Sequence, residues 1–178
     1  TVDGAYKAAD FINFCDAYDI PVLSLTNVKG YAADVRSEKS IAKAVAKLTY
    51  AFANANVPKV NVITGEAYGS AYVTMNSKAL GADVTYAWPD ASIGMMDANE
   101  AAKIMYADDI AKSADVQSVI SEKAAEYAAL QSGVESAAAR GYVDTIINPE
   151  DTRKYVAAAF EMLYTKREDR PDKKHGTV

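Results

Sequence analysis

The stretch from Pro58 to Pro89, PKVNVITGEAYGSAYVTMNSKALGADVTYAWP, constrains the fold more than any other part of the chain. It opens with Val60, Val62 and Ile63, the apolar run of a buried strand. A sharp turn is predicted at Gly65–Gly69, and a helix then begins on three small residues, Gly69, Ser70 and Ala71. This helix is predicted to run to about Gly81. Its first N–H groups have no partner inside the helix, and side chains this small leave them open. Such a nest can stabilise an oxyanion with no charged residue at the site.

The remaining pattern is strand alternating with helix. Asp3 is placed to cap a helix over residues 4–18, with Ala8, Phe11, Ile12, Cys15 and Tyr18 on its apolar face. Ile20–Leu25 reads as a strand, and Asn27–Val35 as a loop around Gly30. Ser37 starts a long helix to about Asn56 that carries Ile41, Val45, Leu48 and Phe52. Short strands follow at Asp83–Ala87 and Ser92–Met95, then helices over Ala98–Tyr106 and within Ala114–Ala139. Tyr142–Ile147 is the last strand. Asn148 and Pro149 open a final helix with Tyr155, Val156, Phe160 and Leu163. Arg170–Val178 is a polar tail expected to be mobile. Such alternation calls for a mainly parallel sheet, an α/β fold, over residues 1–169.

Composition excludes several functions. A net charge of −5 argues against a nucleic-acid partner. One cysteine, Cys15, permits neither a disulfide framework nor a multi-cysteine zinc site. No apolar run is long enough to span a bilayer and no secretory signal opens the sequence, so a cytoplasmic protein is expected. Asp108 and Asp109 lack a third ligand and read as a solvated loop, so no metal is expected. Tyr86, Trp88, Pro89, Met95 and Met96 read as packing.

The segment Pro58–Met96 resembles the C-terminal, crotonase-like half of the biotin-dependent acyl-CoA carboxyltransferases. The matching residues include Pro58-Lys59, Val62-Ile63-Thr64, Ala67-Tyr68-Gly69-Ser70-Ala71-Tyr72, Ser77-Lys78, Leu80-Gly81-Ala82-Asp83 and Tyr86-Ala87-Trp88-Pro89. Ala8-Ala9-Asp10-Phe11 with Cys15-Asp16 and Ile20-Pro21 extends the likeness to one end. Ala139-Arg140-Gly141-Tyr142-Val143-Asp144, Thr152-Arg153 and Lys173-Lys174-His175-Gly176 extend it to the other. The resemblance implies the crotonase (spiral ββα) superfold. The family half usually begins several strands before Thr1, so the strand beside Pro21–Leu25 is expected on another polypeptide or on the remainder of a longer chain.

By that resemblance, the N–H groups of Gly69, Ser70 and Ala71 bind the ureido oxygen of biotin and stabilise the biotin enolate. Gly30 and Tyr31 stand where the family has Pro-Gly-Phe, in a loop that completes the oxyanion pocket. Tyr72 and Val73 border the acyl or biotin pocket, and valine replaces an acidic residue found in many carboxylases. The implied substrate is a short acyl-CoA, the implied cofactor biotin on a separate carboxyl carrier protein. The implied partner is an N-terminal, acyl-CoA-side half, in the same or a separate chain, within a homo- or hetero-oligomer. Membrane contact would come only through a pump complex. The segment alone is expected to be inactive.

Other readings stay open. The Gly/Ala turn could serve close packing of helix on strand, and Gly30 could be an ordinary turn glycine. Ser70 could be a nucleophile, but the sole histidine is His175, in the tail, and no base is placed beside the serine. A stand-alone crotonase-type hydratase or isomerase would need an acidic residue, for which Glu66 is the nearest. A scaffold subunit of a decarboxylase complex would need no site at all.

Overall fold

In the computed structural model, which describes residues 1–113 and 115–169, strand β2 (Lys59–Tyr68) is the axis of the fold. On one side it pairs in parallel with β1 (Val22–Val28). On the other, its first half pairs with β3 (Val84–Ala87) and its last residues, Glu66–Tyr68, pair with β4 (Ser92–Gly94). The short β5 (Thr145–Ile146) adds to β3, so the main order is β1-β2-β3-β5, all parallel. A parallel sheet needs crossover connections, and the helices supply them.

Helix α1 (Val2–Ala17) leads into β1, and α2 (Val35–Glu38) with α3 (Ile41–Asn54) forms the crossover from β1 to β2. Thr1 caps α1 by accepting from the Gly4 N–H at 3.2 Å, and Asp3 lies inside the first turn. The buried face of α1 is Ala5, Ala9, Ile12 and Cys15, while Phe11 and Tyr18 are exposed. Small residues let α1 approach Ala44, Leu48, Ala51 and Phe52 of α3, which turns the predicted aromatic positions outward. The predicted single helix from Ser37 divides because the Asp34 carboxylate accepts from the Arg36 and Ser37 N–H groups and closes a separate turn. Lys59, fully buried, donates to the Phe52 carbonyl at 2.7 Å in the last turn of α3, where a cation meets the helix dipole favourably.

After β2, helix α4 (Gly69–Thr74) is far shorter than predicted. Thr74 Oγ1 donates to the Ala71 carbonyl and Ser77 Oγ to the Val73 carbonyl, and Asn76 adopts a left-handed φ of 57°. Side-chain groups thus take over the helix carbonyls and the chain breaks into a 3₁₀ turn at Lys78–Leu80.

Helices α5 (Ala98–Met105), α6 (Ala107–Lys112) and α7 (Val116–Tyr127) follow β4, and a π-helical turn at Ala128–Ser132 leads into α8 (Val134–Ala139). Asp108 and Asp109 are exposed in the first turn of α6. Past β5, a 3₁₀ turn at Pro149–Asp151 enters α9 (Thr152–Met162), which lays Val156, Phe160 and Leu163 against Val60, Val62, Tyr86 and Ile147. Trp88 joins that cluster and donates Nε1–H to Thr152 Oγ1 at 2.9 Å. The last strand is shorter than the predicted Tyr142–Ile147: only Thr145 and Ile146 stand in register opposite Tyr86 and Ala87 of β3, flanked by backbone hydrogen bonds from Asp144 and Ile147. The reading of a mobile tail, and His175 with it, lies outside the described residues. Among the described residues, no helix is long and apolar enough to cross a membrane.

Candidate active site at the Gly69 turn

Strand β2 does not turn at Gly65; it continues through an irregularity to Tyr68. The register with β1 jumps from Thr26–Ile63 to Val28–Ala67, which leaves two extra residues on β2. Asn27 fills the gap: its Oδ1 accepts from the Glu66 N–H at 3.0 Å. A Cβ on Gly65 would lie 2.8 Å from that oxygen, so only glycine fits. The re-aimed end of β2 then pairs with β4 and delivers the chain to Gly69.

Gly69 has φ +59°, and a Cβ there would sit 2.9 Å from the Met95 carbonyl oxygen. Both facts exclude a side chain. The left-handed residue lets β2 enter α4 abruptly, so the first N–H groups of the helix emerge beside a cavity of about 280 Å³. Gly69, Ser70, Tyr72 and Val73 form its α4 wall, and Ile93, Gly94 and Met95 its β4 wall. Tyr127, Gln131, Ala137, Arg140 and Tyr142 close the opposite side. The lining holds one guanidinium and no carboxylate.

The structure therefore gathers four of the sequence-predicted residues, Gly69, Ser70, Tyr72 and Val73, around one cavity. Ala71 turns its side chain into the core, at 2 % exposure. Gly30 lies in the loop after β1, where a Cβ would meet nothing within 4 Å. Tyr31 reaches α4 from that loop, donating to the Ser70 carbonyl at 3.1 Å and sharing a 2.7 Å hydrogen bond with Thr74 Oγ1. Met95 is not core packing: it is 76 % exposed and lines the cavity, because the Gly69 turn occupies the space beneath its carbonyl.

The wall opposite α4 was missed from the sequence. Its residues come from α7, the π-helical turn, α8 and the segment after it, all within residues 127–142 and far along the chain from Gly69. The one signal was Arg140-Gly141-Tyr142, where glycine at φ +81° ends α8 and both flanking polar residues line the cavity.

Tyr72 is the unusual titratable group. Its hydroxyl is buried with no hydrogen-bond partner. Burial, with a further push from the neighbouring Tyr142, raises its pKa from 10.0 to about 12. Glu66 is placed differently, in an ion pair of 3.1 Å with Lys29, whose ammonium is correspondingly pushed up. Cys15 is a free, buried thiol in the α1–α3 core, away from these groups.

A parallel sheet whose central strand ends in a left-handed glycine, opening a short helix onto an apolar cavity, defines a crotonase-like carboxyltransferase architecture. A solved transcarboxylase 12S chain, described as a hexamer assembly with methylmalonyl-coenzyme A and methylmalonic acid bound, superposes with a TM-score of 0.94. It is 42 % identical, over 99 % of this chain and 34 % of that one. The propionyl-CoA carboxylase beta chain of Saccharopolyspora erythraea is 46 % identical over 182 residues, covering 99 % of this chain and 33 % of its own length. The methylmalonyl-CoA decarboxylase subunit alpha of Propionigenium modestum is 43 % identical over 178 residues, 99 % of this chain and 34 % of its own.

The carboxyl transferase domain family matches residues 1–178, and the chain belongs to that family. It spans about a third of the length of the curated relatives it matches.

Proposed function

We propose that this segment is the biotin-facing half of an acyl-CoA carboxyltransferase, acting with an acyl-CoA-side half in the same or a separate chain. The observation that carries the reading is Gly69: a left-handed, side-chain-free turn opens a helix whose first residues, Gly69 and Ser70, line a largely apolar cavity. The residues fit a neutral heterocycle with one polar oxygen. Gly69, Ser70 and Ala71 would hold the ureido oxygen of a biotin group through their N–H groups, and Val73, Ile93 and Met95 would pack its apolar face. When bound, biotin on its carrier protein supplies the nitrogen that gives or receives the carboxyl group.

The protein's own contribution is positioning and fixed dipoles. Ordered N–H donors stabilise negative charge on an oxygen without reorganising, and an apolar wall keeps water from weakening them. Tyr31 fixes the helix that carries these donors. In this reading no side chain acts as acid or base, in keeping with a lining that lacks carboxylate and histidine. The hydratase or isomerase alternative is less well supported, because Glu66 is held by Lys29 and lies outside the cavity lining.

The same reading places the protein in the cytoplasm, in an oligomer with a biotin carboxyl carrier protein. The test is carboxyl transfer by the full-length protein carrying this segment, with its carrier. Gly69→Val should lower kcat by about 100-fold or more, as expected for losing an oxyanion donor. Full activity in a folded Gly69→Val protein would leave only the scaffold reading.

A further inference from the structure

We propose that Arg140, Tyr72 and Tyr142 form a seat for a carboxylate group in the cavity beside the Gly69 turn. The inference rests on the carboxyltransferase reading and names the group that this site recognises besides the ureido oxygen.

Three observations converge on it. First, Arg140 is the one charged residue of the lining, and among the described residues no carboxylate pairs with it. A guanidinium facing an otherwise apolar cavity is an open demand for an oxyanion. Second, Tyr72 is only 7 % exposed, and its hydroxyl has no partner. Leaving a buried hydroxyl unbonded is costly, so such groups are commonly completed by a ligand or reserved for one. Third, Tyr142 lines the same cavity as Arg140 and Tyr72, and its phenol acts electrostatically on that of Tyr72. At neutral pH all three side chains can donate hydrogen bonds, and no acidic side chain competes with them.

The charge count selects the ligand. A carboxylate carries one charge and accepts about four hydrogen bonds, which suits one guanidinium and two phenols. A phosphate dianion would leave a charge uncompensated in an apolar cavity. The carboxyl group in transit, on the acyl donor, meets this description. A merely structural Arg140 is the rival, since it directly follows α8 and a cation there favours the helix dipole.

The experiment uses the full-length protein in its native assembly. The monomethyl ester of malonate, hereafter the malonate probe because it carries a single carboxylate, is titrated calorimetrically with inorganic phosphate as competitor. Wild type should bind the malonate probe, and phosphate should not displace it. Arg140→Gln should weaken binding by about 10- to 100-fold, and Tyr72→Phe by about 3- to 10-fold, with Arg140→Lys in between. In turnover, Arg140→Gln should raise KM for the carboxylated acyl-CoA and leave KM for the uncarboxylated acyl-CoA unchanged. Equal binding of the malonate probe by wild type and Arg140→Gln would overturn the proposal, as would displacement by phosphate. A parallel rise in both KM values with a lowered Tm would assign Arg140 to α8 alone. Should Arg140→Gln not fold, Tyr72→Phe decides the same question. Because the titration needs no turnover, a wild type that binds the malonate probe but transfers no carboxyl group would refute the carboxyltransferase reading and keep the seat.

Discussion

The hydroxyl of Tyr31 lies 2.7 Å from Oγ1 of Thr74, so the loop after β1 grips the last turn of α4. The same hydroxyl donates to the Ser70 carbonyl, one residue past the Gly69 turn. A helix of six residues has little stability of its own, and its position is set by such contacts. Removing the grip should loosen the N–H groups assigned to the proposed oxyanion site. Tyr31→Phe and Thr74→Val should each lower kcat about tenfold with little change in KM. The double mutant should be no worse than the single ones, giving a coupling of about 1 kcal/mol in a double-mutant cycle.

Ser70 offers only its backbone to the proposed chemistry. Ser70→Ala should therefore keep kcat within about twofold of wild type, since alanine accepts the same helical conformation. Measured carboxyl transfer reads this directly. A loss of three orders of magnitude would mean that the hydroxyl itself reacts, and the nucleophile reading would return.

The ion pair of Lys29 with Glu66 joins the β1 loop to the irregular part of β2, with side-chain exposures of 75 % and 33 %. Solvent screens exposed pairs of this kind, so they contribute little to stability. Glu66→Gln should leave unfolding almost unchanged, and carboxyl transfer within about threefold. If a hydratase or isomerase activity were found and Glu66→Gln abolished it, the alternative reading would stand instead.

Tyr72 should leave a mark on alkaline stability. Its phenol titrates near 12 in the fold, against 10.0 in an unfolded chain. Below the lower value both states hold the proton and the group has no pH effect. Above it the unfolded chain loses its proton first, so folding becomes less favourable as pH rises toward 12. Two pKa units correspond to about 3 kcal/mol at most. Urea unfolding of Tyr72→Phe should lack this component of the alkaline slope. At neutral pH, without ligand, the variant should be as stable as wild type or up to about 1 kcal/mol more stable, since an unpartnered buried hydroxyl is gone.

Gly65 tests the way β2 is steered. Gly65→Ala places a methyl group 2.8 Å from Asn27 Oδ1, the atom that holds the Glu66 N–H. The variant should lose about 1–3 kcal/mol in denaturant unfolding. Asn27→Ala in the same background should recover part of the loss by removing the clash, although the Glu66 N–H then depends on water.

Local chemistry in the sequence determined much of this. Val60, Val62 and Ile63 read as a buried strand, and Gly69-Ser70-Ala71 as an uncluttered helix start, because these depend on neighbours within a few residues. The length of α4 did not follow, since Asn76 reaches the Val60 carbonyl only once the sheet is in place. Nor did the outward turn of Phe11 and Tyr18, which follows from α3 presenting alanines to α1. The cavity wall was the largest omission. Tyr127, Gln131, Arg140 and Tyr142 carry no shared spacing, and they meet the Gly69 turn only because β4 pairs with the end of β2 and draws α7 and α8 over it. The sequence alone thus determined the turn that carries the N–H groups, whose geometry is a matter of backbone sterics. Tertiary structure decided what faces that turn, because convergence of distant side chains depends on how the sheet is ordered.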